Sequence, residues 1–185
     1  MKSKMNLNKK LKSTIALMVF LFSFAGNVNA QDGTLLDNSQ YGIKFNVPSG
    51  WKERKVEETS KKDAISYTFD KNDGSIAMML LAFKVMEVKN LNDLVYTFEK
   101  DLTLNIPKRD GDYSEFDKGN YDGISALYKD SEFTEVVYYY RTKVTDGENF
   151  AYLLRFIAPS GTFNSSTESE LKKIGDSFEP VTAQQ

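Results

Sequence analysis

The sequence predicts an α+β domain: an antiparallel β-sheet of about six to seven strands flanked by helices, arranged as a sandwich. Three observations carry that expectation. Most β-type segments are short alternating runs joined by turn residues, which makes neighbouring strands antiparallel. Residues 75–86 (SIAMMLLAFKVM) are almost continuously apolar, so the strand they form needs cover on both faces. Only two stretches carry helical periodicity, too few to act as the crossovers of a parallel doubly wound sheet.

The elements follow in order. Residues 31–39 (QDGTLLDNS) are polar and turn-rich, and are expected to be a flexible leader. A single domain spans 40–180, with 181–185 as a tail. Tyr41, Ile43, Phe45 and Val47 alternate with Gly42, Lys44 and Asn46, a period-2 strand that Pro48-Ser49-Gly50 stops. Trp51 follows that turn at once and is read as a core plug closing the sheet, packed with Phe45, rather than as a ligand platform. Ile65, Tyr67 and Phe69 alternate in 64–70, and Lys71-Asn72-Asp73-Gly74 is a hairpin turn into the apolar strand. Met78, Met79 and Met86 fill core in that run.

Asn90 is a good N-cap, and Leu91, Leu94, Val95, Phe98 and Leu102 recur at helical spacing behind it. Pro107 to Asp112 reads as an exposed loop. Residues 113–118 and 124–131 are short strands around Gly119 to Gly123, and 134–145 with 150–158 are the two longest alternating runs. Ser165 or Thr167 caps a last helix through an S/T-x-x-E pattern, carrying Leu171, Ile174 and Phe178 to the core.

The 185 residues include no cysteine and no histidine. Disulfides, thiolate or imidazole metal sites and histidine-dependent nucleophilic catalysis are thereby removed. Nothing in the sequence asks for a cofactor. Calcium-loop spacing fails, because the best alignment puts Lys118 and Lys129 at the first and last ligand positions. Ser49-x-x-Lys52 and Ser169-x-x-Lys172 are four-residue coincidences without the accompanying motifs of a serine–lysine acylase. No glycine-rich phosphate loop is present. Asn164-Ser-Ser166 is a glycosylation sequon, relevant in a eukaryotic host alone.

The first thirty residues read as a secretory signal. Lys2, Lys4, Lys9, Lys10 and Lys12 precede the apolar run 15–25, and Val28-Asn29-Ala30 ends it with cleavage expected after Ala30. The apolar run is well short of the ~20 residues that span a bilayer, so no stable membrane anchor is expected after cleavage. Losing those five lysines and no acid takes the net charge from −2 to −7. A domain that acidic has no electrostatic footprint for nucleic acid. The expected location is the periplasm or the extracellular medium.

The chain resembles the PsbP-like and DcrB-like families. The resemblance rests on Tyr41-Gly-Ile-Lys-Phe-Asn-Val-Pro48-Ser-Gly-Trp51, the capped helix at Asn90-Leu91, Gly123, the long hairpin through Gly147, and Asp176-Ser177-Phe178. It covers roughly residues 40–178 in pattern. It implies a helix-flanked antiparallel sheet and an accessory, assembly or chaperone-like role beside another envelope or secreted protein. No catalytic residue is carried over with it. The competing expectation is a small exported hydrolase using carboxylate or tyrosine chemistry.

One site-level expectation concerns the hairpin 134–158. A three-residue loop Gly147-Glu148-Asn149 pairs Asp146 with Phe150 and puts Tyr140, Val144, Tyr152, Leu154 and Phe156 on one apolar face. The same register sets Arg141 opposite Arg155, with Lys143 nearby, and like charges directly opposite need neutralising. Either an internal carboxylate (Glu132, Glu135 or Glu115) does this, or the pair receives an anionic ligand or a partner's acidic side chain. A two-residue loop would pair Arg155 with Tyr140 instead.

Overall fold

The computed structural model describes residues 33–85, 88–101, 104–143 and 148–181. The signal segment 1–30, Met86, Leu102, Val144, Asp146 and Gly147 lie outside the described residues.

Ten strands form two antiparallel sheets among the described residues. The large sheet has the order β3 (Trp51–Glu58), β4 (Ala64–Lys71), β5 (Ala77–Val85), β9 (Asn149–Pro159), β8 (Phe133–Thr142), β7 (Tyr121–Lys129), β6 (Lys108–Asp117). The small sheet has the order β1 (Thr34–Asn38), β2 (Ile43–Val47), β10 (Glu179–Pro180). Two helices join them, α1 (Leu91–Glu99) and α2 (Ser165–Asp176), with one 3₁₀ turn at Ser39–Tyr41.

The α+β expectation is therefore corrected. This is a mostly β fold, and its helices are isolated pieces of nine and twelve residues. The physical reason lies at the two ends of the domain. Residues 34–38, expected to be a flexible leader, form β1 and pair residue by residue with β2. Glu179 and Pro180 pair on the other side of β2. Those pairings build a second sheet whose Ile43, Phe45 and Val47 pack into the core over the large sheet. Tyr152 of β9 fixes that sheet in place by donating to the carbonyls of Tyr41 (2.9 Å) and Gly42 (3.1 Å). Gly42 permits the approach: its φ is 59°, and a Cβ there would stand 2.5 Å from the Val181 carbonyl oxygen.

The sheet is buried on both sides, as the apolar run of β5 requires. Met78, Leu80 and Ala82 face the small sheet and α2, and Met79, Leu81 and Phe83 face α1. The run Tyr138-Tyr139-Tyr140 divides the same way, with Tyr138 and Tyr140 on the first face and Tyr139 on the second. Trp51 and Phe45 lie in one buried cluster, and the indole meets Phe156 edge-on at 6.3 Å.

Each helix covers one face. Asn90 caps α1 by accepting from the Asn92 amide, and Leu94, Val95 and Phe98 are its buried side. The cap of α2 is Asn164, which accepts from the Ser166 and Thr167 amides, so neither Ser165 nor Thr167 holds that role. Leu171, Ile174 and Phe178 reach the core as the spacing predicts. The chain leaves β5, crosses the second face through α1, and enters the sheet again at its far edge as β6. That edge strand begins at Lys108, inside the segment expected to be a loop.

Candidate functional site

The β8–β9 register differs from the expected one. Thr134 pairs with Ala158 and Arg141 with Ala151, so Arg155 faces Val137. Arg141 and Arg155 still share the α1 face of the sheet, because Val137 and Arg141 are an even number of residues apart. They are four residues out of step, about 13 Å along the strands, and do not form one site. The apolar face survives: Tyr140, Tyr152, Leu154 and Phe156 are together in the core.

Each arginine has its own carboxylate. Arg155 donates from Nε (2.8 Å) and Nη2 (2.7 Å) to the two oxygens of Glu135, and from Nη1 to the Leu104 carbonyl at 2.8 Å. The pair is almost fully enclosed, with side-chain exposures of 6% and 3%. Glu135 sits one diagonal step from Arg155 on the same face, a spacing long side chains bridge easily. Burial pushes the Glu135 carboxyl above the ordinary carboxylate range, and the neighbouring guanidinium opposes that only in part.

Arg141 repeats the arrangement at the other end of α1. It donates from Nε (2.7 Å) and Nη2 (2.9 Å) to Asp122, which faces it directly across the β7–β8 ladder. Its Nη1 donates to the Val88 carbonyl, just ahead of the helix. The Asp122 hydrogen bond raises the guanidinium above its usual value. Lys143 joins this end: its Nζ lies 2.7 Å from Asp117 and 3.6 Å from Asp122. The structure thus brings Arg141 and Lys143 together on Asp122 and leaves Arg155 apart. Of the carboxylates expected to neutralise the arginines, Glu135 does so. Glu115 and Glu132 pair with neither, and Asp122 takes the place not foreseen.

A third polar group lies between these ends. Glu99, near the last turn of α1, accepts at one oxygen from Arg109 (3.2 Å), Tyr113 (2.9 Å) and Tyr128 (2.9 Å). Tyr139 donates to Tyr128 at 3.0 Å, extending the chain into the buried sheet face. Burial is the main force holding both phenols far above their ordinary range. Arg109 also stacks over the Tyr113 ring at 3.8 Å. Sequence reading gave none of these a role. The available signal was Asp130: its side chain accepts from the Glu132 and Phe133 amides, an Asx turn that fixes the β7–β8 register and so pairs Tyr128 with Glu135 and Asp122 with Arg141.

The Arg141 end opens to solvent as a cleft of about 410 Å³. The start of α1 (Lys89 to Asn92) forms one wall, and Glu115, Phe116, Asp117, Asp122 and Arg141 form the other. Two of its three carboxylates are held by cations, Asp117 by Lys143 and Asp122 by Arg141. The Lys143 hydrogen bond and the Gly119 amide lower the Asp117 carboxyl below its ordinary value. Among the described residues no group of three or more acidic side chains is placed to hold a metal ion. No buried side-chain polar atom among them lacks a hydrogen-bond partner.

No family model matches the chain, and no curated protein matches it. Among solved structures it is similar to a crystal structure from Bacteroides thetaiotaomicron VPI-5482 determined at 1.50 Å resolution. The two are 18% identical, the match covers 82% of this chain and 50% of that one, and the TM-score is 0.47. The chain therefore spans half the length of that neighbour.

Proposed function

We propose that the protein is an exported, non-catalytic accessory or binding protein of the cell envelope that works through contact with another envelope or secreted protein. Its role would be assembly, chaperone-like support or neutralisation of that partner. The observation that carries this reading is where the charge on the α1 face goes. Arg141, Arg155 and Glu99 are the groups best suited to chemistry there, and internal partners and the backbone flanking α1 take up all three. A group held so completely from within positions a fold rather than a reacting molecule.

Export rests on the three-part leader, and the net charge of −7 for residues 31–185 argues against nucleic acid as partner. Kinship with the PsbP-like and DcrB-like families belongs to the same proposal, and rests on the sequence features given above, the Tyr41–Trp51 and Asp176–Phe178 motifs being the more specific of them. The test is a pulldown from the envelope fraction with the processed protein as bait. One stoichiometric protein partner supports the reading, and N-terminal sequencing of the bait should begin at Gln31. A product that still begins at Met1 would remove the exported half of it.

The cleft favours a second reading, a small hydrolase working through carboxylates, because Glu115 lines it beside Asp117 and Asp122. Turnover of a chromogenic ester or glycoside that Glu115→Gln abolishes would establish that reading against the first.

A further inference from the structure

Three arginines reach α1 or the backbone flanking it, and two of them use the guanidinium in the same way. Arg141 and Arg155 each hold a carboxylate with Nε and Nη2 and give Nη1 to a second acceptor. Arg109 gives its Nη1 to Glu99 at 3.2 Å, and no described residue accepts from its Nε or Nη2.

The Arg109 guanidinium is built into place. Gly111 to Tyr113 of β6 span the single residue Ala126 of β7, and Gly111 turns the chain with a φ of 90°. In a regular strand the Cα atoms of Arg109 and Tyr113 would stand ~13 Å apart. The bulge folds that stretch, and the guanidinium lies over the Tyr113 ring at 3.8 Å. Tyr113 in turn donates to the Glu99 oxygen that holds Arg109. The Arg109 side chain is 34% exposed, so its remaining donors open to solvent. One turn before Glu99 on α1, the exposed Tyr96 carries Lys100 over its ring at 5.6 Å. Tyrosine and arginine are the residue types that anchor protein contacts.

We propose that the Nε–Nη2 edge of Arg109 receives one carboxylate from an acidic segment of a protein partner, with Tyr96 and Lys100 as neighbouring contacts. The chemistry selects this occupant. A guanidinium fork matches a planar carboxylate, and this chain fills the same edge with Asp122 at Arg141 and with Glu135 at Arg155. Glu99 beside the fork repels a phosphate dianion more strongly than a single negative charge. The inference rests on the proposed contact with another protein and adds the chemistry of that partner.

The test uses a peptide in place of the unidentified partner. Failure here leaves the pulldown result standing, and failure of the pulldown leaves the site standing. Protein expressed from the full 185-residue sequence and labelled with nitrogen-15 is titrated with an end-blocked tetraglutamate peptide. NMR follows the arginine Nε–H and backbone amide signals. Arg109 should shift along a saturating curve, whereas Arg141 and Arg155 stay in place because Asp122 and Glu135 occupy their edges. Arg109→Lys keeps the charge without the fork and should weaken binding roughly tenfold or more. Lys108→Ala removes a charge from the next residue and should change binding by less than about twofold. Circular dichroism confirms that each variant is folded. No saturating shift at Arg109 overturns the proposal. So does equal weakening by the two substitutions, which would mark diffuse attraction. Inorganic phosphate or acetate binding as tightly as the peptide overturns it too, because the site would then serve a small anion.

Discussion

Arg141 and Arg155 stand on one face of adjacent strands, and each bridges a carboxylate to the backbone on one side of α1. Arg141 holds the Val88 carbonyl ahead of the helix, and Arg155 holds the Leu104 carbonyl behind it. α1 is only nine residues long, too short to be stable by propensity alone. Its place on the sheet is set by Leu94, Val95 and Phe98 in the middle and by a guanidinium at each end.

The buried clamp should behave as a unit. Glu135→Leu and Arg155→Met each leave one ionised group enclosed without its mate, and each should cost about 3–5 kcal/mol. Glu135→Leu combined with Arg155→Met removes both charges and should recover most of that loss. About 1 kcal/mol remains, because the Leu104 carbonyl still lacks its donor. Urea unfolding of the four proteins measures the coupling directly, and additive losses would show that the two side chains act independently.

Acid should act in opposite directions on different carboxylates. Glu135 has a raised folded-state pKa, so its contribution to stability is fully present below the unfolded value near ~4.3 and is lost as pH rises through the folded one. Asp117 and Asp130 are lowered, Asp117 chiefly by Lys143 and Asp130 by the Phe133 and Glu132 amides. Their contributions are present above the unfolded value near ~3.9 and are lost as pH falls through the folded one. Carboxyl carbon NMR titration should place Glu135 above the ordinary midpoint and both aspartates below it. Asp130→Asn keeps the acceptor and removes the titration, so it should flatten the acid limb of the stability curve.

Gly175 inverts a common expectation. In an exposed helix, glycine to alanine stabilises by about 1 kcal/mol. Here the new Cβ would stand 2.2 Å from the Tyr138 ring, whose hydroxyl is held by the Lys172 carbonyl and Asp176. Gly175→Ala should therefore destabilise, by ~1–3 kcal/mol. A rise in melting temperature would mean that the ring moves aside freely.

Trp51 closes the large sheet at 8% exposure against Phe156. Trp51→Ala should cost about 3–5 kcal/mol. The parent protein should emit at the short wavelengths of a buried indole, since Trp51 is its sole tryptophan. A loss below about 1 kcal/mol would mark an accessible ring.

What could be read from the residues was whatever carried a period or a cap. Asn90 announced α1, and the unbroken apolar run announced a doubly covered β5. Edge strands stayed hidden for one physical reason: with a face or a rim in water, they need no apolar alternation. β3 reads WKERKVEE, and the first half of β6 reads KRDGD; both look like loop, and only the second half of β6 was legible as strand. β1 has too few buried positions to show a period, so the second sheet was missed and the fold class with it. The arginine site failed on register. Leucine, tyrosine and phenylalanine stay on the same faces when β8 and β9 slip by an even number of residues, so the apolar pattern could not choose between registers.

The position of β9 between β5 and β8 has a consequence for how the chain acquires its structure. Ala77 pairs with Ile157 and Val85 with Asn149, so the two central strands come from halves of the chain that meet last. β6 to β9 can close as neighbouring hairpins, but β5 must wait for the whole meander to be made. Such pairing between distant segments is slow to form, since a long loop must close before any contact rewards it. Until β9 arrives, the run Met78-Met79-Leu80-Leu81 has one bare rim. In a newly made chain this is the stretch most open to aggregation and most in need of a holding partner.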